Sequence, residues 1–146
     1  MAVNKAHISL SYFNDDFGYS KIKEGNITDD NIKFFIDRAS QYVNGNVVGN
    51  AINAGIRNGL YEQDADGNLT IKDQTLADLD FQKEKLEAYR ECVALLTKFG
   101  LDTGFDFLTG SMSRNMGGES YAETLNYTES LASLIQVIKG NLANFD

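Results

Sequence analysis

The pattern that most constrains this chain is the return of apolar side chains at helical spacing, in long stretches that no proline interrupts. Between Thr28 and Asn44 the apolar positions Ile32, Phe35, Ile36, Ala39, Tyr42 and Val43 share one helix face, and Lys33, Asp37, Arg38 and Gln41 face the other way. The spacing recurs at Leu86, Tyr89, Val93 and Leu96, with Leu79, Cys92 and Phe99 beside them. It recurs again at Leu131, Leu134, Ile135, Ile138 and Leu142, with Phe145 extending the stripe. Each stripe must be buried, and stacking helices on one another is the simplest way to do it.

Local signals set the expected boundaries. Thr28 is a good N-cap, and Asp29 and Asp30 sit where a helix dipole favours negative charge. Asn44-Gly45-Asn46 is expected to end or kink that helix. Val47, Val48, Ala51, Ile52 and Ile56 suggest a second, shorter helix closed by Asn58-Gly59. Asp64-Ala65-Asp66-Gly67, between runs of β-compatible residues, predicts a hairpin over about 60–72. Gly100 reads as the C-cap of the long helix, and Ser120 with Glu123 as a capping box for the last one. His7 to Tyr12 alternates polar and apolar residues and could be a strand. Helices are thus expected near 28–44, 47–57, 75–99 and 123–143.

The expected fold is mainly α: a small helical bundle with one β-hairpin insertion, an extended N-terminal arm and a Gly/Ser loop. The 146 residues are expected to form a single domain. Its parts are an arm over 1–26, a helical core over 27–109, a flexible loop over 110–120 and a C-terminal helix over 121–146.

Composition narrows the chemistry. A hydrophobic share of 42% can build a core without staples. One cysteine, Cys92, rules out an internal disulfide and multi-cysteine zinc sites, and one histidine, His7, rules out a two-histidine metal centre. The net charge of −8 argues against gripping nucleic acid. No apolar run is long enough to span a membrane, and the first ten residues do not read as a signal peptide.

Short motifs offer little catalysis. Glu62 to Asp73 can be laid on a twelve-residue calcium loop, with Gly67 at the sixth position. Its first position is Glu62 rather than Asp, its last is the short Asp73, and its flanks read as strands, so a β-turn is the simpler account. Gly110 to Gly118 lacks the lysine and spacing of a phosphate loop. His7 has apolar or small neighbours, Cys92 lies on the apolar face of its helix, and Asp15-Asp16 and Asp29-Asp30 suit a solvated arm and a helix start. No carboxylate pair stands out as an acid and base. The chain is expected not to be an enzyme and to need no metal or cofactor.

The aromatics are unevenly placed. Tyr12, Phe13, Phe17 and Tyr19 lie in an otherwise polar arm, and Phe105 and Phe107 precede the Gly/Ser loop. They either anchor a partner or fold back as lids on the core. Candidate partner-contacting residues are Tyr12, Phe13, Phe17 and Tyr19 of the arm, and Met112, Arg114 and Met116 of the loop. Arg114 is the best single candidate for pairing with an acidic partner.

Three segments together resemble the head–tail adaptor, or connector, proteins of tailed bacteriophages. Asn26 to Asn44 is similar to that family's first core helix. Lys85 to Leu96 looks like its long later helix. Gly110 to Ser120 resembles the Ser/Gly-rich segment that follows. The hairpin and the last helix depart from the pattern. The resemblance implies a structural virion protein of the neck, present in the host cytoplasm during assembly. It implies a homo-oligomeric ring, typically a dodecamer, that contacts the portal protein above and a stopper or tail-completion protein below. Genomic DNA would pass through during packaging and ejection without specific binding, and an acidic lumen would suit that passage. Two other readings stay open: a small acidic phage-encoded inhibitor or DNA mimic that binds a host protein such as a nuclease, and a calcium-binding module.

Overall fold

A computed structural model describes residues 6–22, 27–47, 51–65, 68–103, 105–106, 111–112 and 121–143. The chain is mainly helical with a small antiparallel hairpin. In order it runs through a π-helical turn (Tyr12–Asp16), α1 (Tyr19–Ile22), α2 (Asp29–Tyr42), a second π-helical turn (Val43–Val47) and α3 (Ala51–Arg57). Then come β1 (Tyr61–Gln63), β2 (Leu69–Ile71), α4 (Leu79–Thr103), β3 (Phe105–Asp106), β4 (Ser111–Met112) and α5 (Tyr121–Ala143).

Helix α2 starts as its sequence predicts: the Thr28 hydroxyl accepts the Asn31 N–H at 3.2 Å. Its stripe is buried through Ile32, Phe35, Ile36 and Ala39. The α-helical ladder ends at Tyr42, but the chain does not leave the core there. The Val43 N–H bonds to both the Ala39 and Ser40 carbonyls, and the helix widens into the π-helical turn. Val43 and Asn44 are buried in it, so Asn44-Gly45 redirects the chain while still packed. Helix α3 ends at a Schellman cap. Gly59 is left-handed with φ +78°, Leu60 N–H reaches the Gly55 carbonyl at 2.8 Å and Gly59 N–H reaches Ile56 at 3.1 Å.

Strands β1 and β2 pair Tyr61 with Ile71, Glu62 with Thr70 and Gln63 with Leu69. Tyr61, Leu69 and Ile71 turn inward. The expected strand over His7–Tyr12 is absent. Residues 6–9 are extended and the chain then coils, because its apolar members Ile8, Tyr12 and Phe13 find the core from a helical turn rather than a pleat. The described part of the expected arm is therefore packed against the rest of the chain. Most of the expected flexible loop over 110–120 lies outside the described residues, but Ser111–Met112 pairs antiparallel with Phe105–Asp106.

The longest helix starts and ends later than its sequence signals. Asp73 and Thr75 form a side-chain-supported turn before α4 begins at Leu79. The helix then runs through Gly100 to Thr103, so Gly100 is not its C-cap. Gly100 is buried against α2, and a Cβ there would clash with the edge of the Phe35 ring. The glycine is needed for close approach of two helices, not for a left-handed turn. Lys98 and Asp102 pair across the same turn at 2.6 Å and support its helical continuation. Helix α5 buries Leu131, Ile135, Ile138 and Leu142, and these join one core cluster with residues of the N-terminal segment, α2, α3, the β1–β2 hairpin and α4.

The Phe35–Gly100 contact makes a direct prediction. Gly100→Ala is expected to lower stability by about 1–3 kcal/mol, the usual cost of overpacking a tight site. Phe35→Leu in the same chain should return part of that loss, as read by urea unfolding.

Candidate functional site

Two polar arrangements stand out, and both involve the N-terminal segment. The first is buried. His7 is 4% exposed, its backbone N–H donates to Ser40 Oγ at 3.0 Å, and its ring Nδ1 shares a 2.6 Å hydrogen bond with the Tyr89 hydroxyl. Ser40 Oγ donates in turn to the Ile36 carbonyl at 2.7 Å. Helix α2 thus supplies Ser40, α4 supplies Tyr89, and the segment that precedes the first helical turn supplies His7. Burial pushes the His7 imidazole down to about 4, so the ring is neutral at pH 7, and it holds the Tyr89 phenol far above its usual range. Neutral imidazole and phenol can exchange a hydrogen bond without burying a charge.

The second arrangement is a groove where β2, α4 and the first helical turn meet. Arg90 on α4 is its centre. One guanidinium nitrogen donates to Glu87 Oε2 at 3.2 Å and another donates to the Leu69 carbonyl. Glu87 Oε1 accepts from the Tyr12 hydroxyl at 3.2 Å. Burial, followed by the neighbouring Glu87 carboxylate, raises the Tyr12 phenol well above its ordinary value. Tyr12, Asp16, Asp64, Asn68, Glu87 and Arg90 line about 450 Å³ of groove on one side. A second groove of about 470 Å³ runs past Thr70, Ile71, Gln74, Lys83 and Glu84 and shares Glu87 and Arg90. The carboxylates Asp16, Asp64, Glu84 and Glu87 are exposed, so the rim is acidic around a largely covered arginine.

The predicted contact residues divide sharply. Tyr12, Phe13 and Tyr19 are 8%, 0% and 1% exposed. Phe13 stacks on Tyr19 and Phe17 with ring centroids 4.6 and 5.5 Å apart. Phe17 packs half-buried against the same cluster. These four are core lids, not outward anchors: the turn sends Asp15 and Asp16 to solvent and sends the rings inward. For Met112 the structure describes the backbone alone, in β4, and Arg114 and Met116 lie outside the described residues. Among the described residues the large apolar side chains that do face solvent are Phe34, Phe81 and Val137, at 42%, 41% and 54% exposure. The Arg38 guanidinium lies 4.9 Å from the Phe34 ring centroid.

The segment read against a calcium loop is a hairpin, with Asp66 and Gly67 outside the described residues. Asp64 Oδ1 accepts the Asn68 N–H at 3.0 Å, and Asp73 Oδ1 accepts the Thr75 N–H at 2.9 Å. Both carboxylates serve turns. Among the described residues no three His, Cys, Asp or Glu side chains cluster to hold a metal ion. Cys92 is buried and its thiol is pushed up to about 12, first by burial and then by Glu91, so at neutral pH it is a packed thiol rather than a thiolate.

Sequence reasoning missed Arg90, Asn68 and the His7–Tyr89 pair. Glu87 and Arg90 at i,i+3 carried a signal for a helical ion pair. Nothing in the sequence near His7 pointed to Tyr89, 82 positions away.

Comparison of the chain with protein-family models, with curated proteins and with solved structures finds no match.

Two outcomes follow from this geometry. Arg90→Met keeps the packed stem but leaves the Leu69 carbonyl and Glu87 Oε2 without the guanidinium donors. It should cost about 1–3 kcal/mol in urea unfolding, and Arg90→Lys should recover little, since a single ammonium cannot reproduce the fork. Cys92 should resist a thiol reagent at pH 8 in the native protein and react fully once unfolded.

Proposed function

We propose that this chain is a non-enzymatic structural subunit of a bacteriophage neck, an adaptor that forms a ring between the portal and the tail or its stopper. The observation that carries this reading is the pairing of α2 with α4. Two of the three segments that resemble the adaptor family fall on these helices, and the helices pack face to face through Phe35 at Gly100 and Ser40 beside Tyr89. The placement of charge also supports it. Asp29 and Asp30 at the start of α2, and Asp80, Glu84, Glu87, Glu91 and Asp102 along α4, are exposed. Carboxylates that face a channel repel a passing duplex and let it slide.

A ring of head-to-tail contacts needs two different surfaces on each subunit. With the arm aromatics used in the core, the exposed apolar side chains on separate helices are the better candidates. Phe34 with Arg38 on α2 and Val137 on α5 would meet different neighbours. Among the described residues no helix is long and apolar enough to cross a membrane, in keeping with a partner that is protein rather than lipid.

A second reading draws on the acidic rim. Asp16, Asp64 and Glu87 converge on one groove, and Glu84 and Glu91 extend the row along α4. Such a row could imitate a DNA backbone toward a basic host protein.

Size-exclusion chromatography with light scattering, alone and with portal rings, tests the first reading. Assembly into a ring, alone or on the portal, is expected. Phe34→Ser and Val137→Ser are expected to leave a folded monomer that no longer assembles. A strict monomer that also fails to join portal rings would overturn the reading, and tight, salt-sensitive binding to a basic nuclease would favour the second one.

A further inference from the structure

His7 is the chain's only histidine, and it sits where four parts of the fold meet. Its backbone is tied to α2 through Ser40 Oγ and to β2, whose Leu69 N–H donates to its carbonyl at 3.4 Å. Its ring is tied to α4 through Tyr89. Two residues on, the Ser9 N–H donates to Asn68 Oδ1 at 2.8 Å, and the Gln63 amide donates to the carbonyl of Ala6, just before it. The junction joins the N-terminal segment, the hairpin and both long packed helices.

We propose that His7 is an acid trigger for this fold: proton uptake at its imidazole opens the junction that holds the N-terminal segment against the hairpin, α2 and α4.

The surroundings of the ring explain why. From α4 it faces the Tyr89 phenol, and Cys92 lies beside that phenol. Both are neutral between pH 4 and 7. The Ser40 hydroxyl of α2 and the Leu69 N–H of β2 bond to the His7 backbone, and neither carries a charge. Burial is what lowers its proton affinity. An imidazolium here would lose its hydration, and the described groups bonded to His7 offer it no counter-charge. Once the junction opens, the ring returns to its ordinary value.

The sign follows directly. The closed form binds its proton at about 4 and the open form at 6.5. Between those values the open form holds more protons. Closure is fully favoured above pH 6.5, loses ground as pH falls, and has lost the whole histidine contribution below about 4. Opening is cooperative rather than a peeling of the end, because Ile8, Phe13 and Tyr19 of the same segment belong to the core. The inference is independent of the adaptor reading.

Urea unfolding at constant ionic strength tests it. The wild-type unfolding constant is expected to rise about 30-fold between pH 7.5 and pH 5, a range in which ordinary carboxylates titrate little. His7→Asn keeps polar atoms near the Nδ1 position and removes the titrating group. It should hold the rise below about two-fold. A wild-type rise that His7→Asn leaves intact, or no wild-type rise, overturns the proposal. Should His7→Asn fail to fold, the single histidine ring signal in the wild-type NMR spectrum decides. A native ring that stays neutral down to about pH 5 supports the trigger, and native titration near pH 6.5 overturns it.

Discussion

The approach of α2 to α4 is the constraint on which the rest of the structure depends. The Phe35 ring occupies the space that a side chain at Gly100 would fill. At the other end of the interface the Tyr89 hydroxyl lies 3.4 Å from the Ser40 carbonyl. The two contacts run in opposite chain directions, so the helices are antiparallel. Between them Ile36 and Ala39 of α2 and Val93 and Leu96 of α4 are all essentially buried. Each large aliphatic or aromatic side chain buried there contributes about 1.5–3 kcal/mol. Helix α5 packs along α4 and reaches the π-helical turn after α2. The hairpin and the N-terminal segment are laid on what remains.

That second layer is held differently. Arg90 reaches across from α4 to the β2 backbone, and Asn68 reaches from the hairpin to the Ser9 backbone. His7 and Ser40 join the segment to the helix pair. These are buried or half-buried polar contacts, each modest in net value and costly to leave unmade. They give register to a segment whose apolar residues alone would tolerate several positions. The buried histidine belongs to this trade: a neutral imidazole completes the junction, and a charged one cannot.

What was legible in the sequence was what depends on near neighbours. The α2 stripe, its Thr28 cap, the Asn58-Gly59 stop and the pairing of Tyr61–Gln63 with Leu69–Ile71 are all set within a few residues, and each occurs where the local chemistry puts it. What was not legible depends on distant partners. Gly100 looked like a helix end because glycine commonly is one, and only Phe35, 65 positions away, shows that it fills a packing role. The polar neighbours of the ring-rich arm left open whether its rings anchor a partner or lie on the core, and the turn over Tyr12–Asp16 sorts rings inward and carboxylates outward. The candidate site was legible only in part, since the Glu87–Arg90 pair is local while its links to Tyr12 and Leu69 are not.

This sorting changes what the molecule has left for recognition. Aromatic rings spent in a core are not available to a partner, so the described surface offers carboxylates and a few isolated apolar side chains. Some of the acidity is used at home: Glu87 holds Arg90, Asp102 holds Lys98, and Asp64 and Asp73 brace turns. Asp16 and Glu84 line the grooves, and Glu91 stands exposed along α4 without serving a turn. Excess like charge on one side destabilises a compact chain through self-repulsion. A channel wall and a mimic of DNA use that charge in opposite ways. The wall needs it spread around a closed ring so that no phosphate finds a place to rest. The mimic needs it in a row with a spacing that a basic groove can read. Both proposals start from the same exposed carboxylates on a single subunit, so the oligomeric state is what separates them.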